Sequence, residues 1–424
     1  MENDSAIAAL GALAQGTRLD VFRLLVRHEP DGMAAGDIAR QLDVPQNTMS
    51  AHLGILARAG LVQSERHSRS IIYRADLDGL RALTLFLVKD CCAGNAELCA
   101  PQPVTMLALS GGADEGAYGA GVLNGWTQSG TRPEFSVVTG VSTGALIAPF
   151  AFLGKEGDAS IARFYTSVSA RDIFHPRFPL AIPGSTSVAS TAPLAKLIAR
   201  EVTPELVARI AEEQAKGRRL FVATANLDAQ RSVIWDMGAI AASMLPDKVE
   251  LFRRVLLASS SIPVVFPPVV IDASSNGAPV RELHADGGTT AGILAIPPQL
   301  AVSDAPIGDA TRLHVYLLMN SRLGGDFQMV TPRLVPILKR AFALNQQAAL
   351  LTLAETSYVY AHRHGIDWNL TFIGNDVAPS DRLFEKTYMR RLYAYGVERG
   401  RSGSWRKTPP TPADLAVADR LDHQ

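Results

Sequence analysis

"SVVTGVSTGALIAP", residues 136–149, decides how the larger part of this chain is read. A β-branched run enters Gly140-Val141-Ser142-Thr143-Gly144, and an apolar, alanine-bearing stretch leaves it. A strand that turns sharply into a helix needs glycines at the turn, and the residue at the apex is left exposed at the sheet edge. Here that residue is Ser142, with a hydroxyl available as a nucleophile. G-x-S-x-G alone arises by chance in many glycine-rich turns, so its surroundings must carry the reading.

Thirty residues upstream, "MLALSGGADEGAYGAGVLNGW" (106–126) places Gly111, Gly112 and Gly116 between a strand and a helix. Amides in such a loop, assisted by the positive helix end, can face a developing oxyanion. The other use of a glycine loop, phosphate binding, lacks the lysine of G-x-x-x-x-G-K-[ST] here, and the spacing does not fit G-x-G-x-x-G. A serine hydroxyl also needs a base. Of the histidines beyond residue 103 (His175, His284, His314, His362, His364 and His423) none stands in a recognisable signature. Asp286 in "LHADGGTT" (283–290) does better: a carboxylate followed by two glycines at a strand end can approach a serine closely, and burial would raise its basicity. His284 and Asp236 read as packing and structural residues, and "ASSSIPVVFPPV" (258–269) as a wall beside the site. "RDIFHPRFPLAIPG" (171–184) reads equally as an acyl entrance or a surface loop.

From Val104 onward, apolar β-prone runs alternate with helical stretches, which predicts an α/β domain with a mostly parallel sheet and helices on both faces. The glycine loop, the G-x-S-x-G and the D-G-G, in this order, resemble the patatin-like phospholipase family from about Val104 to about Gly400. The resemblance implies a patatin-like α/β/α sandwich over 104–405, an oxyanion loop at Gly111, Gly112 and Gly116, and a Ser142–Asp286 dyad. That dyad would cleave lipid acyl esters with no cofactor, neither metal nor histidine. One departure stands out: the family carries a third loop glycine and an Arg or Lys before the last one, where this chain has Ala113, Asp114 and Glu115. Acidic groups facing the site would weaken anion stabilisation, leaving a weak enzyme or a ligand-binding domain; pointing to solvent they would not. Residues 406–424 read as a loosely held tail.

The first hundred residues have another grammar. Ile7, Leu10 and Leu13, then Leu19, Phe22, Leu25 and Val26, keep helical spacing. In "MAAGDIARQLDVPQNTMSAHLGILARAGLV" (33–62), Ile38 and Leu42 line one helix, and Met49, Leu53, Leu56 and Ala57 a second, across a tight turn. "LVQSERHSRSIIYRADL" (61–77) then reads as a hairpin wing. A helix that enters a major groove presents short polar side chains at its start, with cations nearby for phosphates. Gln46, Asn47, Thr48, Ser50 and His52 supply the first, and Arg58, Arg66, Arg69 and Arg74 the second. The charge is local, because residues 1–100 hold 10 Lys and Arg against 12 Asp and Glu. Residues 5–99 thus resemble the arsenical-resistance (ArsR/SmtB-type) repressors, winged helix-turn-helix proteins. The resemblance implies a DNA-binding domain over 1–100, operator DNA as partner and a homodimer built through this domain.

All three cysteines of the 424 residues, Cys91, Cys92 and Cys99, lie within "DCCAGNAELC" (90–99). An odd number cannot pair off within one chain, and three soft thiolates suit trivalent arsenic or antimony as an effector. Zinc would want a fourth ligand that the segment lacks, while buried structural thiols or a redox switch stay open. One arsenite-sensing subgroup of the resembled family carries a Cys-Cys pair and a third Cys in this place. The opening "MENDSAIAALGALAQG" has no basic n-region, and no run of about 18 apolar residues appears. These features predict a cytoplasmic protein with at most transient membrane-surface contact.

Overall fold

The computed structural model describes residues 2–67, 70–87, 103–176, 186–275, 278–295, 313–325, 329–380 and 382–416. Cys91, Cys92, Cys99 and Arg69, and most of 171–184, lie outside them. The chain divides into two compact units, Met1–Gln102 and Pro103–Gln424.

In the first unit the order is α1 (Asn3–Leu13), α2 (Gly16–Arg27), β1 (Met33–Ala34), α3 (Ala35–Gln41), α4 (Gln46–Arg58), β2 (Val62–His67), β3 (Ser70–Ala75) and α5 (Leu77–Phe86). Strands β2 and β3 form an antiparallel hairpin with β1 on its outer edge. Phe22, Leu25, Ile38, Met49, Leu53 and Leu56 close the core, as their helical spacing predicts. Three expectations fail. Ala57 and Val26 are exposed, and the buried face of α1 is Ala6, Ala9 and Ala12, while Ile7 and Leu10 point outward. The small alanines pack α1 closely against its neighbours and leave the larger side chains to the other face.

The second unit contains β4 (Val104–Leu109), α6 (Gly116–Gln128), β5 (Val137–Val141), α7 (Thr143–Phe152), α8 (Asp158–Thr166), α9 (Ala170–Ile173), β6 (His175–Pro176), β7 (Ala189–Ser190), α10 (Ala192–Glu201) and α11 (Pro204–Ala215). It continues through β8 (Arg219–Asn226), β9 (Arg231–Asp236), α12 (Met237–Ala242), α13 (Lys248–Ser259), β10 (Val269–Ser275), β11 (Ala278–Asp286), β12 (Leu313–Arg322), α14 (Leu334–His364), β13 (Asp367–Ile373), α15 (Lys386–Arg401) and α16 (Pro412–Leu415). Strands β8, β5, β4, β12 and β13 run parallel in that order, and β9, β10 and β11 add antiparallel pairings at one side. Both faces of the sheet are buried, as a parallel sheet requires. Along β4, Leu107 and Leu109 join one core and Ala108 the other, and β12 divides Leu318 from Leu317 and Met319 in the same way.

Helices α6 and α15 meet backbone to backbone: a side chain on Gly121 or Gly125 would strike the main chain of α15, and one on Gly396 or Gly400 that of α6. The expected loose tail is held as far as residue 416. Arg406 exchanges backbone hydrogen bonds with Leu370 and pairs with Asp414 at 2.8 Å, and Trp405 packs on Trp126.

Candidate functional site

Register along β8 brings the site together. Val141, the last residue of β5, lies opposite Ala223, and Asp286, the last residue of β11, lies opposite Thr224. Because β9 occupies the other edge of β8 at both positions, β5 and β11 meet end to end. The residue after β5 therefore abuts the residue that closes β11. Ser142 Oγ donates to Asp286 Oδ2 at 2.6 Å, across 144 residues of sequence.

Each half of this pair is held rigidly. Ser142 has φ 55° and ψ −123°, a conformation that L-residues rarely adopt and that surrounding contacts must enforce. Its N–H donates to Ser259 Oγ at 3.0 Å, Ser259 Oγ donates onward to Ala223 O at 2.7 Å, and Ser260 Oγ donates to Ser142 O at 3.3 Å. A side chain on Gly140 would strike α7, and one on Gly144 would strike the carbonyls of Leu109 and Ser110, so only glycine lets helix and strand close around the apex. Asp286 is fully buried; its N–H donates to Ser261 O at 2.9 Å, and its Oδ1 accepts from Gly288 N at 2.8 Å. Burial pushes its carboxyl up to about 7, against the opposing pull of the bonds from Ser142 and Gly288. A carboxylate poised there has the basicity that proton abstraction near neutral pH requires.

The glycine loop differs from expectation. Gly111 donates its amide to Gly292 O at 3.0 Å, and the Gly116 amide is taken by the carbonyls of Ala113 and Asp114 in a 3-10 turn. Neither is available to an oxyanion, and Gly116 is glycine because a side chain would strike Thr143 and Tyr165. Among the described residues, the amides of Gly112 and Ala113 make no hydrogen bond, and Ala113 lines the same cavity as Ser142. The acidic pair points neither into the site nor to solvent. Asp114 accepts from Phe384 N at 2.9 Å, while Glu115 accepts from Tyr388 Oη at 3.1 Å and lies 3.6 Å from Arg322 Nε. Asn320 anchors the loop from β12, donating to Ser110 O at 2.8 Å and accepting from Gly119 N at 3.1 Å.

The cavity over Ser142 is walled by Leu146, Phe164, Leu194, Phe266, Phe384 and Met389, an apolar lining suited to an acyl chain. Histidine takes no part in it among the described residues. His284 is buried against Trp235 and hydrogen-bonds Thr224 Oγ1 at 2.8 Å and Glu282 Oε2 at 3.2 Å. His314 pairs with Asp367, and His362 and His364 lie on Tyr358 and Tyr360. Asp236 caps α12 through Ala239 N at 2.7 Å, the structural role its sequence suggests. The stretch 258–269 does wall the site, through Ser260, Ile262 and Phe266. What sequence reasoning missed is the hold of Ser259, Ser260 and Ser261 on Ser142 and Asp286, and the residues Asn320 and Gln346, whose Nε2 lies where a side chain on Gly288 would go.

In the first unit, α4 exposes Gln46, Asn47, Thr48 and Ser50 at its start, with His52 half-buried one turn on. Arg58 and Arg66 are exposed. Arg74 is not the free cation expected of it: its Nη2 and Nε donate to Glu29 Oε2 at 2.8 and 3.2 Å, tying the wing to the end of α2.

Residues 107–298, nearly half of the chain, match the family of patatin-like phospholipases, and residues 13–65 match a family of helix-turn-helix domains. The transcriptional activator HlyU of Vibrio cholerae is 28% identical over 97 residues, 22% of this chain and 87% of that protein. The biofilm growth-associated repressor of Agrobacterium fabrum is 33% identical over 89 residues, 21% of this chain and 74% of that protein. An ArsR-like transcriptional regulator from Rhodococcus sp. RHA1 is similar in structure at 26% identity, covering 23% of this chain and 88% of that one, with a TM-score of 0.20.

Proposed function

We propose, for a chain that belongs through its first unit to the ArsR-like winged helix-turn-helix regulators and through residues 107–298 to the patatin-like phospholipases, a cytoplasmic DNA-binding regulator fused to a Ser–Asp acyl-ester hydrolase. The observation that carries the enzymatic half is the 2.6 Å bond from Ser142 Oγ to a buried carboxylate. As the hydroxyl attacks an ester carbonyl, Asp286 takes its proton. The oxyanion collects on the amides of Gly112 and Ala113, and the departing alcohol receives the proton as the acyl-enzyme forms. Water then gives a proton to Asp286 as it attacks the acyl-enzyme, and Asp286 returns that proton to Ser142 Oγ as the carboxylic acid leaves. The apolar cavity selects lipid acyl chains, in a phospholipase A or carboxylesterase reaction. A fluorophosphonate probe is expected to label the native protein on the peptide that contains Ser142, as read by mass spectrometry; an unlabelled Ser142 would leave only a ligand-binding domain.

The regulatory half rests on the polar start of α4, on Arg66 of the wing and, by sequence alone, on Arg69. The outward Ile7 and Leu10 of α1 and Leu77 and Leu85 around α5 are the apolar surface from which a homodimer would be built. Arg66→Ala is expected to weaken operator binding across sequences and to lower the salt dependence by about one counterion per protomer. Asn47→Ala should instead relax sequence preference, and unchanged footprints in both would exclude this face from DNA contact. Cys91, Cys92 and Cys99 remain, on their sequence pattern, the donor set we propose for trivalent arsenic or antimony as effector.

A further inference from the structure

Helix α14 is apolar on two sides. Leu350, Ala354 and Ala361 pack into the core beneath the sheet. At about 100° per residue, Leu334, Ile337, Leu338 and Leu344 fall within an arc of about 120° on the opposite side, and all four are exposed, Leu334 at 72% and Leu344 at 55%. Met329, just before the helix, is 84% exposed. A surface helix of an ordinary soluble domain keeps its outer face polar, and a contiguous outward apolar stripe marks a docking surface.

Two further observations say what covers it. From Phe327 to Ala354 the sequence contains no Asp or Glu but includes Arg333, Lys339 and Arg340, so this stretch of chain has a net positive formal charge. The helix also runs directly into the site: Gln346, two residues after Leu344, is the side chain lying against Gly288 and near Gly111 beside Ser142. At about 1.5 Å per residue, Leu338 is only about 12 Å along the axis from Gln346. An apolar stripe on a stretch of net positive formal charge, leading to a serine–carboxylate pair, has the chemistry of a segment that lies in the surface of an anionic bilayer.

We propose that the N-terminal half of α14 docks the enzyme onto anionic lipid surfaces, with Leu334, Ile337, Leu338 and Leu344 entering the acyl region. This inference rests on the hydrolase reading for its purpose, although docking can be measured without turnover. The test is flotation of the full chain with vesicles of phosphatidylglycerol and phosphatidylcholine, or of phosphatidylcholine alone, beside hydrolysis of the vesicle lipid and of a soluble short-chain ester. Wild type should float with the anionic vesicles. The triple variant Leu334→Ser, Ile337→Ser, Leu344→Ser should lose about tenfold or more in both flotation and vesicle-lipid hydrolysis, while its kcat/KM on the soluble ester stays within about twofold. Ser142→Ala should float like wild type. Flotation by both proteins with no ester cleaved by either would overturn the hydrolase reading and sustain the docking. Failure of wild type to float, equal flotation of the triple variant, or a fall in the sedimentation mass of the lipid-free triple variant would overturn the docking, the last by assigning the stripe to a second copy of the chain.

Discussion

Ser142→Ala is expected to lower kcat/KM on acyl esters by about three orders of magnitude or more, the scale on which removal of a covalent nucleophile acts. The substitution removes one oxygen. It leaves the Ser142 amide on Ser259 Oγ, keeps Gly288 N on Asp286 Oδ1, and does not touch the apolar walls. Loss of rate can then be assigned to the hydroxyl and not to a collapsed site. KM should move little, because the acyl chain is bound by Leu146, Phe164, Leu194 and their neighbours. DNA footprints of the variant should match wild type, since the altered atom lies in the second unit. An acyl-ester panel run on both proteins, each with and without operator DNA and arsenite, reads all of this at once. Retention of full turnover by Ser142→Ala would sink the dyad, and a change in wild-type turnover on adding DNA or arsenite would show that the two units communicate.

Which parts of this site could be read from the sequence follows from how each residue acts. Gly140, Gly144, Gly287 and Gly288 are legible because a side chain at any of them would strike a neighbour, and that demand leaves glycine at fixed offsets from Ser142 and Asp286. The pairing of those two residues is a different matter. It depends on β5 and β11 meeting on one edge of β8, a register that no local pattern encodes. Ser259, Ser260 and Ser261 were legible only as part of a wall because they act through hydroxyls and a carbonyl on the backbone of Ser142 and Asp286, and serines at a helix end are ordinary. The loop glycines misled in the opposite direction. Gly116 is required for close approach and Gly111 lies tight against Ser142, but their amides are consumed internally, and donor direction cannot be inferred from composition. Glu115, alarming as a loop residue, is engaged by Tyr388 and Arg322, which are 273 and 207 positions away respectively (388 − 115 and 322 − 115). In the first unit the helix-turn-helix spacing held, because Met49, Leu53 and Leu56 are buried by period alone. Helix α1 inverted the expectation, because alanine weighs little in a hydrophobic pattern yet packs closest.

Asp286→Asn is expected to separate two consequences of the same buried carboxyl. In catalysis, the base must be ionised, so wild-type kcat/KM should climb with pH through the region of about 7 to which burial pushes Asp286, and level off above it. The Asn variant should lose most of the activity together with this limb, while His284→Gln should keep the limb, since His284 is occupied by Thr224 and Glu282. In stability the sign is reversed. The folded carboxyl holds its proton to about 7, whereas in the unfolded chain it releases it near the ordinary value of 3.8. Between those values the native state binds more protons than the unfolded one, so stability falls as pH rises through the window and the full cost is felt above it. Asparagine cannot ionise and escapes that cost. The stability gained by Asp286→Asn over wild type should therefore be larger at pH 8 than at pH 5, by roughly 2 to 3 kcal/mol. All four tryptophans (Trp126, Trp235, Trp368 and Trp405) lie in the second unit, so denaturant unfolding followed by their fluorescence reports on the unit in question. A wild-type rate flat from pH 5 to 8, or a variant advantage independent of pH, would mean that Asp286 is ionised throughout and that its burial does not govern the chemistry.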